Sequence, residues 1–330
     1  NTNKVGDLSK VVSQPYDRVR YGLQDDYYDQ HAYNIVRIIK GRAYETDEPG
    51  DDVYTRARDF YHTCLDAGIL LRDTEPAFYV YHQTFEVAGG KQRTRKAFVT
   101  ALKLVEFDEG IVLPHERTLS GPKADRLSLL RATETNFGQI FMLYPDADNK
   151  INDLFDAAIA GREPDADACE LLERDVRQQL WVVSDPEVVA QVVEEMAPKS
   201  GLIIADGHHR YETALNYRAE MRDKYPDAPD DAGFNYRMIT LVSMDDPGLT
   251  ILPTHRQMHS YTAKTTPRLL EDAGEYFVVM PMADRVSLEA ALAEETDADR
   301  RIGFYDGSYH LLRLKGPEVM AEAVPDRIEE

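Results

Sequence analysis

The segment GLIIADGHHRYETALNYR, Gly201 to Arg218, constrains the fold most: a short apolar run breaks at Asp206-Gly207 and resumes as a charged helix. An apolar run of this length ending at a glycine reads as a buried strand, and the residues beyond the glycine are rich in helix formers. A strand that enters a helix through glycine leaves backbone N–H groups without partners at the positive end of the helix dipole. Such an end accepts anions, phosphate above all. Glycine there also lets the backbone approach an oxygen cluster with no Cβ in the way. His208, His209 and Arg210 fall on the first turn, where cationic side chains add charge-assisted bonds. The plain alternative is a helix start that merely carries surface histidines. Zinc is a further reading, but adjacent histidines on a helix point about 100° apart and miss the one-face spacing of HExxH.

A chain of 330 residues suits about two domains, or one domain with large insertions. Its 43% hydrophobic content can build a sizeable core. The formal net charge of -21 argues against nucleic acid and anionic membranes as partners, since the summed field repels both. A small phosphorylated ligand stays open, because salt screens distant charge beyond roughly 8 to 10 Å. Cys64 and Cys169 are the only cysteines, too few for a disulfide framework or a four-cysteine zinc site, so a reducing cytoplasm is the expected location. No apolar run approaches the roughly 20 residues a membrane span needs.

The pattern predicts an α/β (α+β) fold with a mixed sheet flanked by helices. Residues 1–148 read as an N-terminal α/β region. It opens with a helical stretch in which Tyr54, Ala57, Tyr61 and Leu65 recur at helical spacing and Gly68 marks a stop. Two β-rich runs then join through Gly89-Gly90 as a hairpin. Residues 149–180 read as an acidic helical linker or insertion: a surface helix, a loop around Gly161 to Asp167 and a second helix. Residues 181–262 form a core of strand QLWVV, a helix capped by Ser184 or Asp185 with Pro186 in its first turn, the Gly201 strand and helix, and the buried-looking strand YRMITLVSM. Residues 263–330 read as a further α/β region, with a turn at Asp306-Gly307.

Three smaller motifs bear on chemistry. Leu113-Pro114-His115-Glu116 puts a carboxylate on a rigid loop, as a general base requires, although His-Glu pairs also occur as surface ion pairs. Lys123, Asp125, Arg126 and Arg131 come next on a helix that either faces the same cleft or is simply solvated. Thr254-His255-Arg256 is a second basic triplet after an apolar strand, placed to converge with the first at one end of a sheet. Pro15-Tyr16-Asp17 reads as a turn with Asp17 as a cap.

Taken in order, Gln14-Pro15-Tyr16-Asp17, Leu113-Pro114-His115-Glu116, Asp206-Gly207-His208-His209-Arg210-Tyr211-Glu212-Thr213-Ala214 and Leu252-Pro253-Thr254-His255-Arg256 resemble the prokaryotic domain-of-unknown-function family numbered 1015. That family is similar to a heavily inserted ParB/sulfiredoxin-like core, a fold that includes kinases of free L-serine. The resemblance implies a small-molecule kinase using Mg²⁺ with ATP, ADP or pyrophosphate. It implies Glu116 as the base beside His115, Asp206, Gly207, His208, His209 and Arg210 as the phosphate cradle, and a small alcohol such as L-serine as acceptor. Lys123, Arg126, Thr254, His255 and Arg256 are the expected substrate contacts. A ParB-like, CTP-binding regulator and a metal-dependent phosphohydrolase are the alternatives. The segment between the His-Glu and Asp-Gly-His-His-Arg elements is much longer here than in the compact kinases.

Overall fold

The computed structural model describes residues 1–20, 22–87, 90–115, 120–170, 175–251, 255–258, 266–296, 298–316 and 318–319, with side chains omitted at 120–122 and 266. The chain forms two compact units, Asn1–Ile251 and Leu252–Glu330. Among the described residues no helix is long and apolar enough to cross a membrane.

The first unit begins with α1 (Thr2–Val5), α2 (Leu23–Gln30), α3 (Val36–Ile39) and α4 (Val53–Asp66). The Asp52 carboxylate accepts from the Tyr54 and Thr55 amides and completes a capping box that starts α4. Strands β1 (Phe78–Val87) and β2 (Lys91–Lys103) form the expected antiparallel hairpin, closing at Val87 opposite Lys91, with Gly89 outside the described residues. Next in order are β3 (Val112–Leu113), α5 (Ser120–Thr133), β4 (Ile140–Tyr144), α6 (Lys150–Ile159), β5 (Ala166–Cys169), β6 (Arg177–Val183) and α7 (Pro186–Met196). Then come β7 (Leu202–Asp206), α8 (His208–Lys224) and β8 (Tyr236–Ser243). Asp185 caps α7 by accepting from the Glu187 and Val188 amides, and Pro186 begins the helix.

Eight strands make one mixed sheet in the order β3-β7-β4-β8-β2-β1-β6-β5. The β3/β7 and β4/β8 pairs run parallel, whereas the remaining neighbours run antiparallel. Central β8 is buried along nearly its whole length, as a strand covered on both faces must be. In β7, Leu202 and Ile204 point into the core while Asp206 emerges at the C-terminal end. The α8 face carrying His208, Tyr211, Ala214 and Tyr217 is buried at helical spacing.

The second helix expected in the acidic segment is absent among the described residues. Residues 166–169 are instead strand β5, paired antiparallel with β6, and Asp167 forms an ion pair with Arg177 across that pairing. An edge strand offers unpaired amides and carbonyls, and covering them outweighs the weak helical preference of so short a run. Nor is α6 merely a surface helix: Ile151, Phe155 and Ile159 sit in the main core.

The second unit contains α9 (Thr266–Ala273), β9 (Phe277–Met282), α10 (Arg285–Ala293), β10 (Arg301–Tyr305) and β11 (Tyr309–Leu314). Its strands form an antiparallel sheet in the order β10-β11-β9. The β10–β11 hairpin turns at Asp306-Gly307, with Gly307 at φ 112°.

Candidate functional site

The parallel pairing of β3 with β7 sets Val112 against Leu202 and Leu113 against Ile203, so both strands release their chains at the same sheet end. His115 leaves β3 there. Its Nδ1 bonds the Ile204 carbonyl, which only accepts, so the proton sits on Nδ1. The His115 amide donates to His208 Nε2 at 3.2 Å, and the two rings meet edge to face with centroids 4.6 Å apart. His208 is buried, while His115 is exposed.

Gly207 makes the turn from β7 into α8 at φ 102°. A Cβ at that position would meet the Arg210 guanidinium at 3.0 to 3.1 Å, because this side chain folds back across the glycine. Arg210 forms an ion pair with Asp206 through Nη2 and donates through Nη1 to the Gln139 carbonyl. Thr213, one turn on, donates to the His209 carbonyl at 2.6 Å.

Arg126 on α5 lies 3.9 Å over the Tyr16 ring, donates to the Ile39 carbonyl at 3.0 Å and pairs with Asp125. Tyr54 donates to Asp125 from the other side at 2.9 Å; burial, then the Asp125 charge, pushes its phenol up to about 12. Tyr16 belongs to the Pro15–Arg18 turn, closed by the Arg18 amide on the Pro15 carbonyl at 2.9 Å. Burial raises the Tyr16 phenol too, against the lowering effect of Arg126. Preceding it, Gln14 donates to buried Glu170, which also accepts from Tyr27, so residues far apart in sequence anchor this turn.

Tyr16, Arg126, Arg210 and Thr213 line one cavity of about 80 Å³ together with Arg237 of β8. A single water needs about 10 to 15 Å³ on the same measure, so a small ligand fits. Arg237 is 6% exposed; its Nη2 donates to the Gly138 carbonyl at 2.7 Å, and its Nε has no partner. Burial, then the charges of Arg210 and Arg126, draws its pKa down to about 9, which leaves it cationic at neutral pH.

The chain matches the model of the family described as "Protein of unknown function (DUF1015)" over residues 1–328. It belongs to that family. No curated protein matches it, and no solved structure does. In this DUF1015 member the expected site residues fall into separate groups. His115 meets His208, and Asp206 meets Arg210 beside Gly207. Arg126 joins Arg210 at the cavity. Lys123 instead forms an ion pair with Glu212 of α8. His209 is on the first turn of α8. His255 and Arg256 belong to the second unit, where both are exposed. Glu116 and Thr254 lie outside the described residues.

Sequence reading passed over Arg237 altogether. The available signal was the only charged residue of the run YRMITLVSM, a position where burial requires an anion or a carbonyl. Among the described residues no group of three or more His, Cys, Asp or Glu is arranged to hold a metal ion.

Proposed function

We propose that this protein is a small-molecule phosphotransferase, moving a phosphoryl group from ATP, ADP or pyrophosphate to the hydroxyl of free L-serine or a similar small alcohol. The observation that carries the reading is the contact of His115 with His208, which brings the Leu113–His115 strand end to the glycine turn that opens α8. A helix start approached by histidine and arginine suits phosphate oxygens. Mg²⁺ usually takes one or two carboxylates, several waters and substrate phosphates, and the exposed Asp206 carboxylate at this turn is compatible with that donor set. When bound with the donor, Mg²⁺ supplies charge neutralisation at the phosphates.

Glu116, next in sequence to His115, accepts the acceptor's hydroxyl proton as the new O–P bond forms and the donor's bridging O–P bond breaks. ADP, AMP or phosphate then leaves, according to the donor. Asp206 through Arg210 position the transferred group, and His208 and Arg210 offset its charge. Positioning and charge stabilisation do most of the work in such transfers. The likeness of the family to ParB/sulfiredoxin-fold serine kinases belongs to this proposal as well.

The test incubates purified protein with Mg²⁺, each donor and a panel of small alcohols including L-serine, and reads phosphorylated product by mass spectrometry. Glu116→Gln is expected to lower the rate by about 100-fold or more, the usual scale for a general base. Absence of product with every donor and acceptor, or an unaffected Glu116→Gln rate, overturns the proposal.

A further inference from the structure

We infer that Arg126, Arg210 and Arg237 form a binding subsite for the carboxylate of a small organic acid. All three line the same cavity of about 80 Å³, and none of its lining residues is a carboxylate. Arg126 is paired with Asp125 and Arg210 with Asp206, both from outside that wall. Arg237 has no carboxylate partner among the described residues. It is 6% exposed, it bonds a backbone carbonyl, and its Nε bonds nothing.

A buried guanidinium left in this state is unfavourable unless an anion arrives, because burial removes its water and two like charges stand nearby. The carboxylate of a ligand supplies both missing things: a negative charge and oxygen lone pairs matched to the guanidinium fork. The rest of the wall selects among anions. Ile39, Leu129, Leu130 and Phe137 are apolar, which suits the hydrocarbon body of a small acid better than a polyphosphate. Tyr16, held under Arg126, completes the polar side.

The subsite rests on the phosphotransferase reading only for what the bound acid does there; its occupancy is measured without any phosphoryl donor. Full-length protein is titrated with lactate, glycerate, propane-1,2-diol and inorganic phosphate, with thermal melting and calorimetry as readouts. Lactate and glycerate should raise the Tm, and the diol, which lacks a carboxylate, should not. Arg237→Met should weaken acid binding by at least about tenfold, the loss expected for a charged hydrogen-bonding partner. Without ligand, Arg237→Met should melt no lower than the parent, since the substitution removes an uncompensated buried charge. Arg126→Gln is the second variant and should also weaken acid binding. The inference is overturned if phosphate binds and no carboxylate does, if the acids bind parent and both variants alike, or if unliganded Arg237→Met melts well below the parent. None of these outcomes depends on the Glu116→Gln assay.

Discussion

His82 shows how one residue makes the stability of the sheet depend on pH. It packs edge to face on Trp181, with ring centroids 5.0 Å apart. Burial, then the neighbouring Lys96 charge, lowers its pKa from 6.5. A histidine with a depressed folded pKa is neutral in the native state while the unfolded chain still binds the proton. Stability therefore rises with pH through the window below about 6.5 and is flat above it, and acidification through that window removes it. Trp181 is the only tryptophan, so its fluorescence reports directly on this contact. Urea midpoints measured between about pH 5 and pH 7 should fall on the acid side, and His82→Gln should flatten that slope. An unchanged slope in the variant would assign the acid sensitivity elsewhere. Arg237 is the opposite case, a buried cation that stays charged, which is why its partner has to be sought in a ligand.

At the level of elements, the β7–α8 junction brings Asp206, Gly207, His208 and Arg210 of the candidate site together. Gly207 sits at φ 102°, in the left-handed region that costs an L-residue about 1 to 2 kcal/mol. A side chain there would also press on the Arg210 guanidinium. Gly207→Ala should accordingly lower the unfolding free energy by about 1 to 2 kcal/mol in urea titration, with weaker phosphate binding because Arg210 must move. Stability equal to that of the parent would show that the turn tolerates another geometry. The secondary structure of this junction is legible in the sequence. Strand β7, the glycine and helix α8 are contiguous, so local pattern alone specifies them. Strand β5 is the counterexample, since its conformation comes from pairing with β6 and from the Cys169 amide donating to the Ser9 hydroxyl at 3.1 Å.

On the scale of the whole molecule, the net charge of -21 sets what the protein meets at long range. Duplex DNA should not bind: fluorescence anisotropy at low and moderate salt should show no salt-sensitive association, because no excess of surface cations is present to release counterions. Tight binding that weakens steeply with salt would instead favour a nucleic-acid regulator. A small anion is a different matter. Three arginines within one cavity act over a few ångströms, well inside the screening length, whatever the distant surface carries.

Much of this was legible in the chain itself. The strand–glycine–helix junction, the hairpin of β1 and β2, a cap at Ser184 or Asp185 and the mixed α/β class all come from local spacing, turn chemistry and alternation, which neighbouring residues determine between themselves. Tertiary structure alone decided the rest. His115 and His208 lie 93 positions apart, and only the parallel register of β3 on β7 joins them. Gln14 and Glu170 are separated by 156 positions, and their bond anchors the turn that delivers Tyr16. Arg237 reads as the one charged letter in a buried strand until α5 and α8 bring Arg126 and Arg210 beside it. Local preferences are summed along the chain, whereas a cavity and its electrostatic field are properties of groups that folding alone makes neighbours.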